Sequence, residues 1–363
     1  MSVLKFLLAA LTLGTIAIMP VTAAETGVVT PLIVETIAAV QPFVSADGAT
    51  HLVYELLLIN QSTVAVTVDS LAVLDEAGNA LTELDGAAVA RMSRVSFVGG
   101  SVAALEPSQS SFVFLDVTVP RGDTLPTTLN HRFVVGQTAP AEQGSINLGG
   151  IDVAAETGPL PDIEFTAAPV SVRDVPAVAL ASPVHGEGWV AFRSCCDLMS
   201  SHRGNTVNFN GNVRITERFA IDFVRLDATS HMVSGPGNEV ESYVYYGEKI
   251  YAVADGVVIA ARNNQPTQTP GILSVDITDD VAGGNAVIID ISNGHFAFYA
   301  HMQQGSVTVK AGDVVKAGDL IGLLGNSGKT VGPHLHFHLT DSPSTMNANG
   351  VPFVFAALSE REC

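Results

Sequence analysis

Short stretches in which apolar and polar positions alternate, separated by turn residues, dominate the chain, and little of it has helical periodicity. His51–Ile59, Val66–Leu74 and Ser111–Val119 are runs of strand length rich in β-branched and aromatic residues. Asp75–Gly78 and the pair Asp85-Gly86 read as turns, at the intervals usual in all-β folds. Residues 25–170 are therefore predicted to form an immunoglobulin-like β-sandwich serving as an accessory domain. A Gly-, Pro- and Ala-rich stretch then ends in a linker at residues 171–182. A second β-rich domain is predicted over 183–363, with strands at Lys249–Arg262, Asn285–Ser292, His295–Met302, Asp319–Leu324 and His334–Thr340. The expected fold class is all-β throughout.

The last of those strands carries the candidate chemistry. His334, His336 and His338 alternate with Leu335, Phe337 and Leu339. On a strand the three imidazoles share one face, roughly 6.5–7 Å apart, and the apolar residues fill the other. Such spacing lets imidazoles serve one metal ion and a water bound to it. A half-buried strand needs no histidine, so three in five positions point to a site. In the sandwich, His51 and His131 are isolated and read as surface or strand residues.

Composition narrows the choice of partner. The chain has 363 residues, 47% hydrophobic and 15% charged, enough for sizeable cores. Its 36 acidic against 17 basic residues give a formal charge of −19, which argues against nucleic acid or anionic lipid as partner. Lys5, the apolar run from Phe6 to Met19 and the small residues Val21–Ala24 read as a cleaved signal peptide over 1–24. The run is shorter than a membrane span of about 20 residues, so a secreted or periplasmic protein without a stable membrane anchor is expected. In an oxidising compartment Cys195 or Cys196 can pair with Cys363, and three free thiols are the alternative.

Further motifs gather around the histidine strand. They are Glu217-Arg-Phe-Ala-Ile-Asp222, Ala252–Gly256, Tyr299-Ala-His301 and the glycine-rich run Gly312–Gly328. Their order and spacing, with Gly332-Pro-His334-Leu-His336, resemble the lysostaphin-type (LytM-like) zinc endopeptidases over roughly Pro183–Asp341. The resemblance implies a small antiparallel β-sheet with the site in a groove, one Zn2+ ion, and action on peptidoglycan cross-link peptides. It also implies that Asp222 and His336 are metal ligands. His301 and His334 match the pair that activates water and steadies the tetrahedral intermediate.

The family's first histidine ligand, four positions before the aspartate, is matched here by Arg218, and a guanidinium has no lone pair to give a metal. A third ligand is then sought at His202 or His338. Asn210-Gly211 is a hairpin turn signal that pairs Phe209 with Asn212 and brings His202 opposite Phe219, one position from the vacant slot. A bulge at Gly204 would turn it inward. Tyr243, Tyr245 and Asn326 are candidates for lining a substrate groove. Two functions follow: a zinc metalloendopeptidase, or a degenerate module of the same fold that docks peptidoglycan or a cell-wall hydrolase.

Overall fold

Leu52, Tyr54, Leu56 and Leu58 alternate along the strand Thr50–Asn60 and fill the N-terminal core. The computed structural model describes residues 27–45, 48–95, 104–139, 146–148, 151–153, 158–195, 200–273, 278 and 281–356. The expected signal peptide, Cys196 and Cys363 lie outside them. Thr50–Asn60 pairs with Leu32–Thr36 on one side and Ser110–Val119 on the other, and Ser93–Val95 completes the order. The short strand Phe43–Val44 also pairs with Thr50–Asn60. A second sheet runs Gly158–Ser171, Thr128–Ala139, Ala65–Leu74, Ala80–Asp85. Leu71, Val73, Phe133 and Val135 from this sheet share one core with Leu52, Leu56, Val113 and Leu115 from the first.

Two features of this part differ from the sequence expectation. Asp85-Gly86 is not a simple turn but the start of a helix, Gly86–Met92. The Asp85 carboxylate accepts from the Ala88 N–H at 2.7 Å, capping a helix too short to show a periodicity. The strand Thr50–Asn60 is also buried on both faces. Val53, Glu55, Phe112 and Phe114 belong to the face opposite the core, and all four are buried.

The C-terminal part is built on a seven-stranded antiparallel sheet. Its order is Trp189–Phe192, Ile221–Arg225, Leu335–Thr340, Phe296–Met302, Asn285–Asp290, Gly256–Arg262, Val314–Val315. Leu335, Phe337 and Leu339 enter the core beneath it, as their alternation demands. The strand expected over Lys249–Arg262 is two strands. Lys249–Tyr251 pairs with Leu320–Leu323, and after a turn Gly256–Arg262 joins the main sheet. The stretch expected as linker contains Val178–Leu180, which pairs in parallel with Phe353–Phe355. The regular structure among the described residues is thus almost entirely β-sheet. No helix among the described residues is long and apolar enough to cross a membrane.

Candidate metal centre

Strand register assembles the centre. Asp222 on Ile221–Arg225 lies directly opposite His336 on Leu335–Thr340, and Ala300 flanks His336 on the other side. Between Val287↔Tyr299 and Asn285↔Met302 the strand Phe296–Met302 carries one residue more than its partner. This bulge places His301 at φ +60°, and its N–H donates to the Gly283 carbonyl at 2.8 Å. The His301 ring thereby comes to 4.6 Å from that of His334. A residue other than glycine held in the left-handed region costs energy, and such strain concentrates at working sites.

Four imidazoles and one carboxylate converge. His336 Nδ1 is 3.0 Å from Asp222 Oδ1, and the Nε2 atoms of His202 and His334 are each 3.3 Å from the same oxygen. Among the described residues two sets of side chains have ligand atoms within 4.8 Å of one another: His202, Asp222 and His336, and His301, His334 and His336. Each ring is also fixed from behind. Nδ1 of His202 lies 3.0 Å from the Arg193 carbonyl, that of His301 2.8 Å from the Ser327 carbonyl, and that of His334 2.8 Å from the Gly332 carbonyl. A ring N–H donating to a carbonyl fixes the ring and aims Nε2 inward, where it serves a metal or takes a proton once it is itself deprotonated. His336 is reversed: Nδ1 faces the centre and Nε2 lies 2.9 Å from His338 Nδ1. His338 is therefore behind His336 and outside both convergent sets, tilted against Phe298 at 4.7 Å.

Electrostatics match this layout. Burial would raise the Asp222 pKa, but the charge of His334 and hydrogen bonds from His202, His334 and His336 hold it well below the usual carboxylate range. For His202, burial lowers the pKa, and hydrogen bonding and charge from Asp222, with the charge of Glu217, outweigh it and raise it. His301 is held far below its ordinary value by burial and by the neighbouring His334 and His336, so it is neutral. Burial and the charges of His336 and His202 do the same to His338.

Arg218 does not occupy a ligand position. Its guanidinium turns away to Glu55 of the N-terminal part, with Nε 2.8 Å and Nη2 2.6 Å from Oε2. The place beside Asp222 is taken by His202, and the donor triad is complete without the arginine. The route differs from the expected bulge. The hairpin does form with Phe209 opposite Asn212, but it ends at Val207↔Arg214, and His202 arrives on a turn at residues 201–204.

The centre opens into a groove of about 960 Å³ whose walls include Arg193, Glu217, Phe298, Lys329 and Val331. Tyr245 and Asn326 do not line it: Tyr245 is in the C-terminal core, and Asn326 is buried in the turn before the histidines. Tyr243 packs near Gly332, its hydroxyl donating to the Gly237 carbonyl. Two neighbours of the centre went unread in the sequence. Arg193 Nη1 is 3.9 Å from Asp222 Oδ2, and Glu217 Oε1 is 3.6 Å from His336 Nε2. Glu217 adjoins Arg218 in a motif already singled out, whereas nothing local marks Arg193. Cys195 is held in a disulfide.

Comparison with known proteins agrees with this geometry. Residues 238–348 match the family model for Peptidase family M23. The peptidoglycan DD-endopeptidase ShyA of Vibrio cholerae is 32% identical over 135 residues, which are 37% of this chain and 26% of ShyA. The glycyl-glycine endopeptidase ALE-1 of Staphylococcus capitis is 30% identical over 121 residues, 32% of this chain and 29% of ALE-1. The chain thus spans less than a third of the length of either relative. The solved catalytic domain of lysostaphin from Staphylococcus simulans aligns with 46% of this chain and 86% of that domain, at 22% identity and a TM-score of 0.25. Over residues 238–348 the chain thus carries an M23-type, lysostaphin-like metallopeptidase domain segment, and the His/Asp donor triad formed with His202 and Asp222 is intact beside it.

Proposed function

We propose that the protein is a secreted or periplasmic zinc metalloendopeptidase that cuts the peptides cross-linking cell-wall peptidoglycan. The convergence of His202, Asp222 and His336 beside the paired rings of His301 and His334 carries this reading. Two imidazole nitrogens and a carboxylate oxygen are a donor set suited to zinc, and three protein ligands leave a further position for substrate or water. A zinc ion held there would supply Lewis acidity and a lowered water pKa. The protein's own groups supply the rest. His301 and His334 face one spot from which one imidazole takes a proton while the other donates to the developing oxyanion. His301, kept neutral, suits the first task.

The substrate class follows from the relatives, whose names record DD-endopeptidase and glycyl-glycine endopeptidase activities. The N-terminal part, read as an immunoglobulin-like accessory domain, stands beside the centre. The degenerate-module reading rested on Arg218 as a lost ligand, and the completed triad removes that support. The test is a metal count on the mature chain together with peptide release from purified sacculi. One zinc per chain and soluble peptides, both lost in His336→Ala, are expected. A wild-type chain with no more zinc than that variant and no released peptide refutes the proposal.

A further inference from the structure

The N-terminal part makes contacts that an appended docking domain does not need. Glu55, fully buried on the outer face of Thr50–Asn60, reaches across to two arginines of the C-terminal part. Its Oε1 accepts from Arg203 Nε at 3.1 Å and its Oε2 from Arg218 Nε at 2.8 Å. Arg203, also without exposure, further donates from Nη2 to the Tyr54 carbonyl at 3.0 Å and the Leu115 carbonyl at 2.6 Å. Its guanidinium lies over the Phe114 ring at 5.5 Å. All four of these partners belong to the sandwich. Phe43 meets Phe219, the neighbour of Arg218, edge-on at 5.9 Å.

The two anchored positions are informative. Arg203 follows His202 directly, and Arg218 is four residues before Asp222. Among the described residues the turn at 201–204 has no ladder bonds to the peptidase sheet; its backbone bonds are local, such as those from Gly204 N–H to the Ser200 carbonyl and from Asn205 N–H to the His202 carbonyl. A side chain at 204 would collide with the Arg94 guanidinium, which closes over the turn from the sandwich. Burying a carboxylate between two guanidiniums is costly unless every geometry is satisfied, and a plain interface is served as well by apolar contacts.

From this we infer that Glu55 is a positioning residue of the metal centre: the sandwich, through Glu55, Arg203 and Arg218, fixes the turn that presents His202 to Asp222 and His336. The inference rests on the metal site proposed above and assigns the N-terminal part, read as an accessory domain, a constructive role in that site. Removing a hydrogen-bond partner of a ligand itself typically weakens metal affinity 10- to 100-fold; Glu55 acts one residue further out, so the lower end of that range applies.

The test measures zinc Kd on the full mature chain by chelator competition, with the Co2+ absorption spectrum as a report of coordination and Tm as the report of stability. Glu55→Gln is expected to raise Kd at least tenfold and to change the Co2+ spectrum as one ligand is lost. Val135→Ala, in the core of the far sheet, is expected to lower Tm with Kd within twofold of wild type. Glu55→Asp keeps the charge on a shorter arm and is expected to raise Kd less than Glu55→Gln; it decides the matter by the same readouts if Glu55→Gln does not fold. The inference is overturned if the Glu55 variants keep wild-type Kd and Co2+ spectra while Tm falls. It is also overturned if Val135→Ala weakens zinc as much as they do. A wild-type chain with no more zinc than His336→Ala overturns the metal site itself, and is recognised because wild type alone shows it.

Discussion

His338→Phe isolates the hydrogen bond behind the metal-facing ring. His336 presents Nδ1 to Asp222 and lies 2.9 Å through Nε2 from His338 Nδ1, with both rings buried. A metal taken on Nδ1 requires the proton on Nε2, and that N–H then donates to His338. Phenylalanine keeps a ring against Phe298, now 4.7 Å away, but offers no acceptor. A buried donor left without a partner costs about 1–3 kcal/mol, or roughly 5- to 150-fold in affinity. Glu217 Oε1, 3.6 Å from the same nitrogen and partly exposed, can close that gap, so the single variant belongs near the lower end of the range. Adding Glu217→Ala removes the substitute acceptor and moves the loss toward the upper end, whereas His338→Gln, which restores an acceptor, recovers most of it. Chelator-competition titration of zinc near neutral pH reads all of these. Equal affinities for wild type and His338→Phe/Glu217→Ala, in a chain whose His336→Ala variant binds nothing, would refute the reasoning.

Three other outcomes follow from the same geometry. His131 is buried in the sandwich, its Nδ1 on the Ala168 carbonyl at 2.9 Å and its Nε2 on the Tyr54 hydroxyl at 2.8 Å, and burial lowers its pKa from 6.5 to about 4. Between those values the unfolded chain takes up a proton that the folded chain refuses, so stability present above pH 6.5 falls as the pH drops toward 4, by about 3 kcal/mol in all. Urea unfolding across that range should show the slope in wild type and lose it in His131→Gln; parallel curves would count against it. Gly284→Ala should cut activity well beyond Gly294→Ala, although both positions have positive φ, because only at 284 would the new Cβ strike Ser327, whose carbonyl holds His301 Nδ1. Equal activities in the two variants would remove that link. Arg218→His, which recreates the family's ligand position, should not restore zinc to a His202→Ala chain and should destabilise it by about 3–5 kcal/mol through the broken Glu55 pair; zinc regained without loss of stability would show that the slot was open after all.

The alternation of histidines and apolar residues before Thr340 was readable because a strand has only two faces, and so was the hairpin at Asn210-Gly211, whose turn chemistry sets Phe209 against Asn212. Asp222 could be carried into the centre by a motif. The hairpin register brought His202 forward together with His338 but could not choose between them: the turn that presents His202 is held through Arg203, which reaches a carboxylate 148 residues away, and no local pattern encodes such a contact. Glu55 looked like any polar residue on a half-buried strand, since periodicity does not reveal when a second layer covers the outer face. Arg218 was misread for the same reason, because a motif records which residue fills a slot and not which way it turns. The helix after Asp85 escaped because seven residues are too few to show a repeat.

The clasp between Val178–Leu180 and Phe353–Phe355 has a temporal consequence. A chain made from its amino end can close its sandwich core once residue 171 has emerged, but the parallel pair cannot zip until residue 355 has followed. Glu55 likewise waits for Arg203 and Arg218, and Asp222 for His336, so the centre closes after the N-terminal core. Contacts of such long sequence separation also form slowly. The fold thus sets the order of events: the donor groups meet only on a scaffold that the N-terminal part has already completed.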